Sequence, residues 1–306
     1  MEKFKKISYL KLRKMDIKDV EDYYSRLRKY EYKNDIGIKN IKLRKIVHFL
    51  PLKLVKLDRL LSHDKLTVIS DLREKSNRPK IYACTHIGGV DIQRTFEAIK
   101  EHAYLFLGDP KELYIDTTGL ILKMNGSISF DTKDKEDRNI AYNRSIELLK
   151  KGGNLLIYPE GAWNITPSSP VMGLYPGFIK MAKETKADII PVAIEQFDNY
   201  FYVNIGKNIK YEDIKDKDID GLRIKLRDDL ATLKWEIWDN MPLSKRFEIK
   251  ENKDDFIDKI VKRSEYDFTK EDVYHDMYRE KNVINPEEAY IVSPEEAFEK
   301  RKQLTR

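Results

Sequence analysis

The chain has almost no cysteine. Its 306 residues include one, Cys84, which excludes a disulfide framework and any cysteine-rich zinc or iron–sulfur module. We therefore expect a reducing compartment and a cytoplasmic location. Cys84 ends an apolar run, a position where cysteines pack more often than they react, and we interpret it as a packing residue.

Long hydrophobic runs are also missing. The longest uncharged run, residues 161–179, contains three prolines and three glycines. It predicts a loop, because a membrane-spanning helix needs about 20 predominantly apolar residues. No apolar stretch follows the charged N-terminus, so we expect no secretion signal. These features favour a soluble protein or one bound peripherally at the cytoplasmic face of a membrane.

The familiar short catalytic signatures are absent. The sequence has no GxGxxG, GxxxxGK[ST], GxSxG or HExxH, and its five histidines lack the partners that a zinc site needs. We therefore expect no metal. The hydrophobic fraction of 41% and the net charge of +6 also exclude wholesale disorder.

Positive charge is concentrated at the N-terminus. Residues 1–60 contain 18 Lys and Arg against 8 Asp and Glu, and the excess is greatest in residues 40–60, where lysines and arginines alternate with apolar residues. This stretch could be an ordinary helical hairpin, broken at Pro51, with its basic residues facing solvent. It could instead be a basic amphipathic element on an anionic membrane surface. Nucleic-acid binding is disfavoured, since no recognition motif accompanies the charge.

The spacing of apolar residues predicts an α/β fold. Residues 16–33 have a helical period, and strands are predicted at 80–86, 103–109, 127–131, 154–161, 188–197 and 200–206. Helices predicted after Asp91, after Lys111 and over 134–151 separate the first four strands, which favours a largely parallel or mixed sheet flanked by helices. We divide the chain into an N-terminal basic helical segment (1–66), an α/β domain (67–240) and charged peripheral helices and loops (241–306).

One histidine stands at a position suited to catalysis. His86 follows an apolar strand and precedes Gly88, Gly89 and a helix that begins near Asp91. Ligands of open α/β sheets bind at the carboxyl ends of strands. The glycines permit a tight turn in which Asp91 could accept a hydrogen bond from one ring nitrogen and leave the other free as a base. The other four histidines are expected to face solvent or to pack.

A second candidate lies at the end of another strand. Tyr158, Pro159, Glu160 and Gly161 form the sequence YPEG where an apolar strand meets the proline-rich loop. Glu160 is therefore expected at the same sheet edge as His86, in a shared cleft. By itself, the same pattern also fits a strand exit with a solvated glutamate.

These residues resemble the motifs of a known superfamily. HIGGVD (86–91) matches the HxxxxD motif of the glycerol-phosphate and lysophospholipid acyltransferases (PlsC-like). NGSISFD (125–131), YPEG (158–161) and IPVAI (190–194) resemble its second, third and fourth blocks, and KEL (111–113) resembles a stretch between the first two. The order is right, and the resemblance covers roughly residues 75–210.

The resemblance implies transfer of a fatty acyl group from an acyl thioester, acyl-CoA or acyl carrier protein, to a hydroxyl of a glycerophosphate- or lysophospholipid-type acceptor. These are co-substrates, and no cofactor is expected. His86 would be the general base, and Asp91 would orient it. The membrane-associated work of the family also favours the membrane-surface interpretation of residues 40–60. The resemblance places the substrate-binding residues at Thr85, Lys111, Gly126, Thr132, Lys133, Glu160, Gly161, Ala162 and Trp163.

Two departures from the family pattern concern the acceptor. The second block normally ends in an arginine, where this chain has Thr132. The third normally reads PEGTRS, but Trp163 replaces its arginine. Either Lys111, Lys133 or Arg94 binds an acceptor phosphate, or the acceptor has no phosphate there. A non-phosphorylated acceptor such as a glycan hydroxyl, and a catalytically silent lipid-binding scaffold, are the alternatives.

Overall fold

The structure, a computed structural model, describes residues 4–166, 169–241, 253–262 and 269–278. Its strands are β1 (Lys65–Asp71), β2 (Lys80–Cys84), β3 (Tyr104–Gly108), β4 (Ser127–Phe130), β5 (Leu155–Ile157), β6 (Asp188–Phe197) and β7 (Tyr200–Ile205). Its helices are α1 (Tyr9–Leu12), α2 (Ile17–Lys33), α3 (Ile41–Val47), α4 (Phe49–Leu61), α5 (Asp91–Ile99), α6 (Thr117–Asn125), α7 (Lys135–Lys150), α8 (Gly177–Thr185), α9 (Tyr211–Ile214), α10 (Ile219–Asp239), α11 (Lys253–Lys262) and α12 (Lys270–Asp276).

The seven strands form one mixed sheet in the order β1-β7-β6-β2-β5-β3-β4. All neighbouring pairs are parallel except the hairpin of β6 and β7. The central strand β2 therefore pairs in parallel with both β5 and β6, and their carboxyl ends lie at one edge of the sheet. The predicted α/β class with a flanked mixed sheet is confirmed.

Helices cover both faces of this sheet. On β2, Ile81 and Ala83 belong to the core formed with α7, α8 and α10. Tyr82 and Cys84 point to the other face and pack with α5 and α6. Cys84 is fully buried, and burial raises the pKa of its thiol. It is therefore a packing residue, as expected.

The basic N-terminal stretch forms α3 and α4, which meet at His48 rather than at Pro51. Pro51 lies in the first turn of α4, where the backbone N–H it lacks has no helical partner anyway. The break predicted at this proline is therefore wrong. Lys42, Lys45, Lys53 and Lys56 face solvent, as the hairpin interpretation expects. Eight large apolar side chains of α3 and α4 are exposed: Leu43, Ile46, Phe49, Leu50, Leu54, Leu57, Leu60 and Leu61.

Strand β1 was missed by the sequence analysis, and the proposed boundary at residues 66 and 67 falls inside it. It is an edge strand whose residues alternate between exposed and half-buried, so its apolar signal is weak. After β7 the chain forms α9 and α10, and α11 and α12 follow them. The rest of the predicted C-terminal segment lies outside the described residues. Within the described ranges, no helix combines the length and the apolar character needed to cross a bilayer.

Candidate active site

His86 and Asp91 meet across the turn that joins β2 to α5. Gly88 and Gly89 have positive φ angles of 85° and 63°, which glycine adopts without strain. The turn brings His86 Nδ1 to 2.7 Å from Asp91 Oδ2. The same oxygen accepts the backbone N–H groups of Ile87 and Gly88, at 2.8 and 3.0 Å. The fully buried Asp91 therefore fixes both the loop and the imidazole, with Nε2 left to take up a proton.

Aromatic rings hold the imidazole from two sides. The ring centroid of Tyr158 lies 4.3 Å from that of His86, and the Trp163 ring stands at 88° to it with centroids 6.3 Å apart. The His86 side chain remains 15% exposed. It is therefore fixed in orientation but still open to the cleft in front of it.

Glu160 does not line this cleft. Its carboxylate is completely buried, with Oε1 accepting the backbone N–H of His86 at 3.0 Å and Oε2 accepting that of Met172 at 2.8 Å. Burial raises its pKa, and the positive charge of Lys234 opposes this shift. Both oxygens of Glu160 thus join the ends of β2 and β5 to the following loop, and its expected place in the acceptor pocket stays a prediction.

The cleft has a volume of about 110 Å³. Its wall consists of His86, Gly89, Ile92, Gln93, Leu107, Gly108, Asp109, Leu113, Thr118, Leu122, Gly161, Ala162, Trp163, Asp272, Val273 and Asp276. Of the predicted substrate-binding residues, Gly161, Ala162 and Trp163 lie in this wall beside His86. Their contact with substrate stays a prediction.

Two other predicted residues have structural positions away from the cleft wall. The Thr85 hydroxyl is buried and accepts the backbone N–H of Ile194 at 3.0 Å, so it joins β2 to β6. Gly126 ends α6 with a φ of 114° and lies against the ring of Tyr104. Both residues form internal contacts and lie outside the cleft wall, and their expected contact with substrate stays a prediction.

The residues proposed to bind a phosphate are dispersed. Lys111 and Lys133 line a neighbouring depression rather than the cleft, and Lys111 lies 3.5 Å from Asp272. Thr132 donates its backbone N–H to Asp109 at 2.8 Å, and its hydroxyl donates to the same carboxylate. Arg94 is fully buried and pairs with Asp58 and Asp64 on the far side of α5. Arg94 therefore cannot serve as a phosphate ligand.

Sequence reasoning missed one whole side of the cleft. Asp109 follows β3 and could have been found by the same strand-end argument that singled out His86. Asp272, Val273 and Asp276 come from α12, more than 180 residues along the chain from His86. No local motif marks them, and only the fold brings them to the site.

The fold and the histidine–aspartate geometry agree with a comparison of the sequence with known protein families. Residues 65–195 match the family model described as Acyltransferase, and the matched region contains His86, Asp91 and the YPEG segment. These 131 of the 306 residues are therefore an acyltransferase domain, and the protein is an acyltransferase enzyme.

A solved structure of another protein has a similar fold. The chain is similar to the 1-acyl-sn-glycerophosphate (LPA) acyltransferase PlsC from Thermotoga maritima, with a TM-score of 0.52 and 15% sequence identity. The similarity covers 78% of this chain and 98% of that one. No curated protein matches the sequence.

Proposed function

We propose that the protein transfers a fatty acyl group from an acyl thioester to a hydroxyl of a glycerolipid-type acceptor, with His86 as the general base. The observation that carries this proposal is the 2.7 Å contact between His86 Nδ1 and the buried Asp91 Oδ2, at the mouth of a cleft. Nδ1–H donates to Asp91, so the lone pair of Nε2 is available to the acceptor hydroxyl.

The reaction follows from this arrangement. His86 Nε2 takes the hydroxyl proton while the hydroxyl oxygen attacks the thioester carbonyl carbon. The resulting tetrahedral oxyanion collapses, the C–S bond breaks, and the imidazolium returns the proton to the leaving thiolate. Asp91 stabilises the imidazolium that forms between these two steps. Backbone N–H groups are the usual donors to such an oxyanion.

An apolar groove next to the cleft suits the acyl chain. It lies between α4, α5 and α6, has a volume of about 280 Å³, and shares Gln93, Thr118 and Leu122 with the cleft wall. Its remaining lining is largely apolar and comprises His48, Pro51, Leu52, Leu54, Val55, Leu57, Asp58, Leu61, Phe96, Thr117, Ile121 and Asn125. A chain held there would extend from the reacting carbonyl towards α4.

The exposed face of α3 and α4 suits a membrane surface. Its eight exposed apolar side chains are interspersed with Lys42, Lys45, Lys53 and Lys56, all of which are exposed. A helix pair of this composition can insert apolar side chains at the headgroup level while its lysines contact anionic lipids. Peripheral binding at the cytoplasmic face would place the acyl groove beside the lipid supply.

The test is acceptor-dependent thiol release from a long-chain acyl-CoA or acyl carrier protein. We expect His86→Ala to reduce release at least 1,000-fold, the order of magnitude for loss of a general base in a catalytic pair. Its melting temperature should fall only modestly, because Asp91 loses the imidazole but keeps the backbone N–H groups of Ile87 and Gly88. His63→Asn is the matched control, since His63 is exposed and has a φ of 59°, which asparagine tolerates. Full transfer by a folded His86→Ala protein would contradict the mechanism.

A further inference from the structure

Helix α12 forms part of the cleft opposite the acyl groove. Asp272, Val273 and Asp276 lie in the same wall as His86. Val273 and Met277 are buried in a cluster with Ala162, Ile165 and Met172, and the Tyr175 hydroxyl donates to the backbone carbonyl of Asp276 at 3.1 Å. The end of α12 is therefore fixed against the loop that follows β5.

The approach of α12 to Gly161 is close. A Cβ atom at Gly161 would lie 2.9 Å from the backbone carbonyl oxygen of Asp276, and Gly161 itself has a φ of 79°. A side chain there would displace α12. The glycine thus allows residues from outside the matched acyltransferase region to reach the cleft.

The charge in this wall has one sign. Asp109, Asp272 and Asp276 contribute three carboxylates, and the described residues of the wall include no lysine or arginine. Burial raises the pKa of Asp276, a hydrogen bond with His275 opposes this, and the negative charge of Asp109 raises it further. The carboxylates are thus close enough to affect one another.

The neighbouring depression does not supply the missing positive charge. It is lined by five basic residues and eight carboxylates. Three of its basic residues form ion pairs with acidic side chains: Lys111 with Asp272, Lys29 with Asp134, and Arg28 with Asp137. With more carboxylates than basic residues, this depression offers a phosphate in the cleft no excess of positive charge.

We propose that Asp272 and Asp276 determine acceptor specificity by excluding a phosphate next to the reacting hydroxyl. This inference rests on the proposed acyl transfer and specifies its acceptor. The hydroxyl that His86 deprotonates belongs to an acceptor that is uncharged around that group, as the glycerol of a monoacylglycerol is. Like charges brought together in a cleft disfavour the wrong ligand even when its shape fits. Thr132 and Trp163, which stand where the resemblance expects arginines, agree with this specificity.

A matched acceptor pair tests the proposal. 1-Oleoylglycerol and 1-oleoylglycerol 3-phosphate differ only in the phosphate, and kcat/KM is measured for both in mixed micelles. We expect the wild type to prefer the uncharged acceptor. In Asp276→Asn and in Asp272→Asn/Asp276→Asn, the preference should shift towards the phosphate by about tenfold per carboxylate removed, the order of magnitude for one unit charge acting over several ångströms near a protein surface.

Glu271→Gln provides the control for net charge. Glu271 lies on the same helix and lines the neighbouring depression but not the cleft. It should leave the preference unchanged, and an equal shift in Glu271→Gln would overturn the proposal. A wild type that prefers the phosphorylated acceptor would overturn it as well.

A binding measurement separates this proposal from the proposed function. Calorimetry with His86→Ala protein compares the affinities of the same two acceptors without turnover. Weaker binding of the phosphorylated acceptor, relieved in the Asp276→Asn background, supports the specificity proposal. Equal binding of the two acceptors overturns it. Absence of thiol release from the wild type with every donor and acceptor would instead contradict the acyl transfer itself.

Discussion

At the residue scale, the site shows which roles a sequence can reveal. The pairing of His86 with Asp91 was predictable because both residues lie within one turn and two glycines permit the required backbone. The role of Glu160 was not, because its partner, the N–H of His86, lies 74 residues away in the chain. The strand-end argument placed Glu160 at the correct edge but could not tell a buried carboxylate from one lining the cleft.

Glu160 should act through His86 rather than on the acceptor. In Glu160→Gln, the amide can accept only one of the two backbone N–H groups and presents its own donor to the other. We expect kcat to fall about 10- to 100-fold, the acceptor KM to change less than threefold, and stability to fall by about 1–3 kcal/mol, the cost of an unsatisfied buried donor. Steady-state kinetics and denaturant unfolding measure these effects.

Glu97→Gln serves as the comparison for this change. Glu97 is a buried carboxylate that pairs with Arg59 outside the cleft wall, so its variant should lose stability with kcat unchanged. If Glu160→Gln raised the acceptor KM and kept kcat, Glu160 would contact the acceptor, as the family resemblance implied.

At the scale of elements, a pair of buried histidines attaches the α3–α4 pair to the body. His48, at the junction of these helices, donates through Nδ1 to Asn125 Oδ1 at 2.8 Å, because the amide nitrogen of Asn125 already donates to Ala103 O. His102 Nε2 donates to the backbone carbonyl of Asn125 at 2.7 Å. The sequence left open whether these histidines face solvent or pack, and it did not predict that both meet at the end of α6.

The two buried histidines should make the folding stability of the protein decrease in acid. Burial lowers the pKa of His102 to about 4 and also lowers that of His48. Arg44, Lys45 and His48 add to the effect on His102. Well above pH 6.5, the ordinary pKa of a histidine, both side chains are neutral in the folded and the unfolded chain, so they add no pH dependence. As the pH falls from 6.5 towards 4, the unfolded chain takes up protons that the folded chain does not, and stability decreases.

His102→Gln should reduce this loss. Glutamine keeps an N–H donor but does not titrate. Between pH 6.5 and pH 4, the variant should therefore lose up to about 3 kcal/mol less unfolding free energy than the wild type. Denaturant unfolding across pH 8 to 4 compares its slope with that of the wild type. The exposed His63→Asn variant should keep the wild-type slope. Equal slopes for wild type and His102→Gln would contradict the assignment.

At the scale of the whole molecule, the sequence predicted the order of elements better than their assembly. Short apolar runs located β2 to β7, because these signals are local. Strand β1 went unrecognised because an edge strand buries little. The contribution of α12 to the cleft was also missed, because a contact across the fold leaves no pattern in either segment.

The exposed face of α3 and α4 gives a prediction about membrane binding by the whole molecule. Lys53→Gln/Lys56→Gln removes two exposed charges from α4, and we expect affinity for phosphatidylglycerol-containing vesicles to fall about 25-fold at low salt, from about 1 kcal/mol per lysine. Lys135→Gln/Lys150→Gln makes the same charge change on the exposed side of α7 and should have little effect on this affinity.

The apolar contribution is tested separately. Ile46→Ser/Leu60→Ser should weaken binding to neutral vesicles as well as to anionic ones. Equal losses from the α4 and α7 lysine pairs in vesicle co-sedimentation would show that net charge, rather than the α3–α4 face, drives the binding.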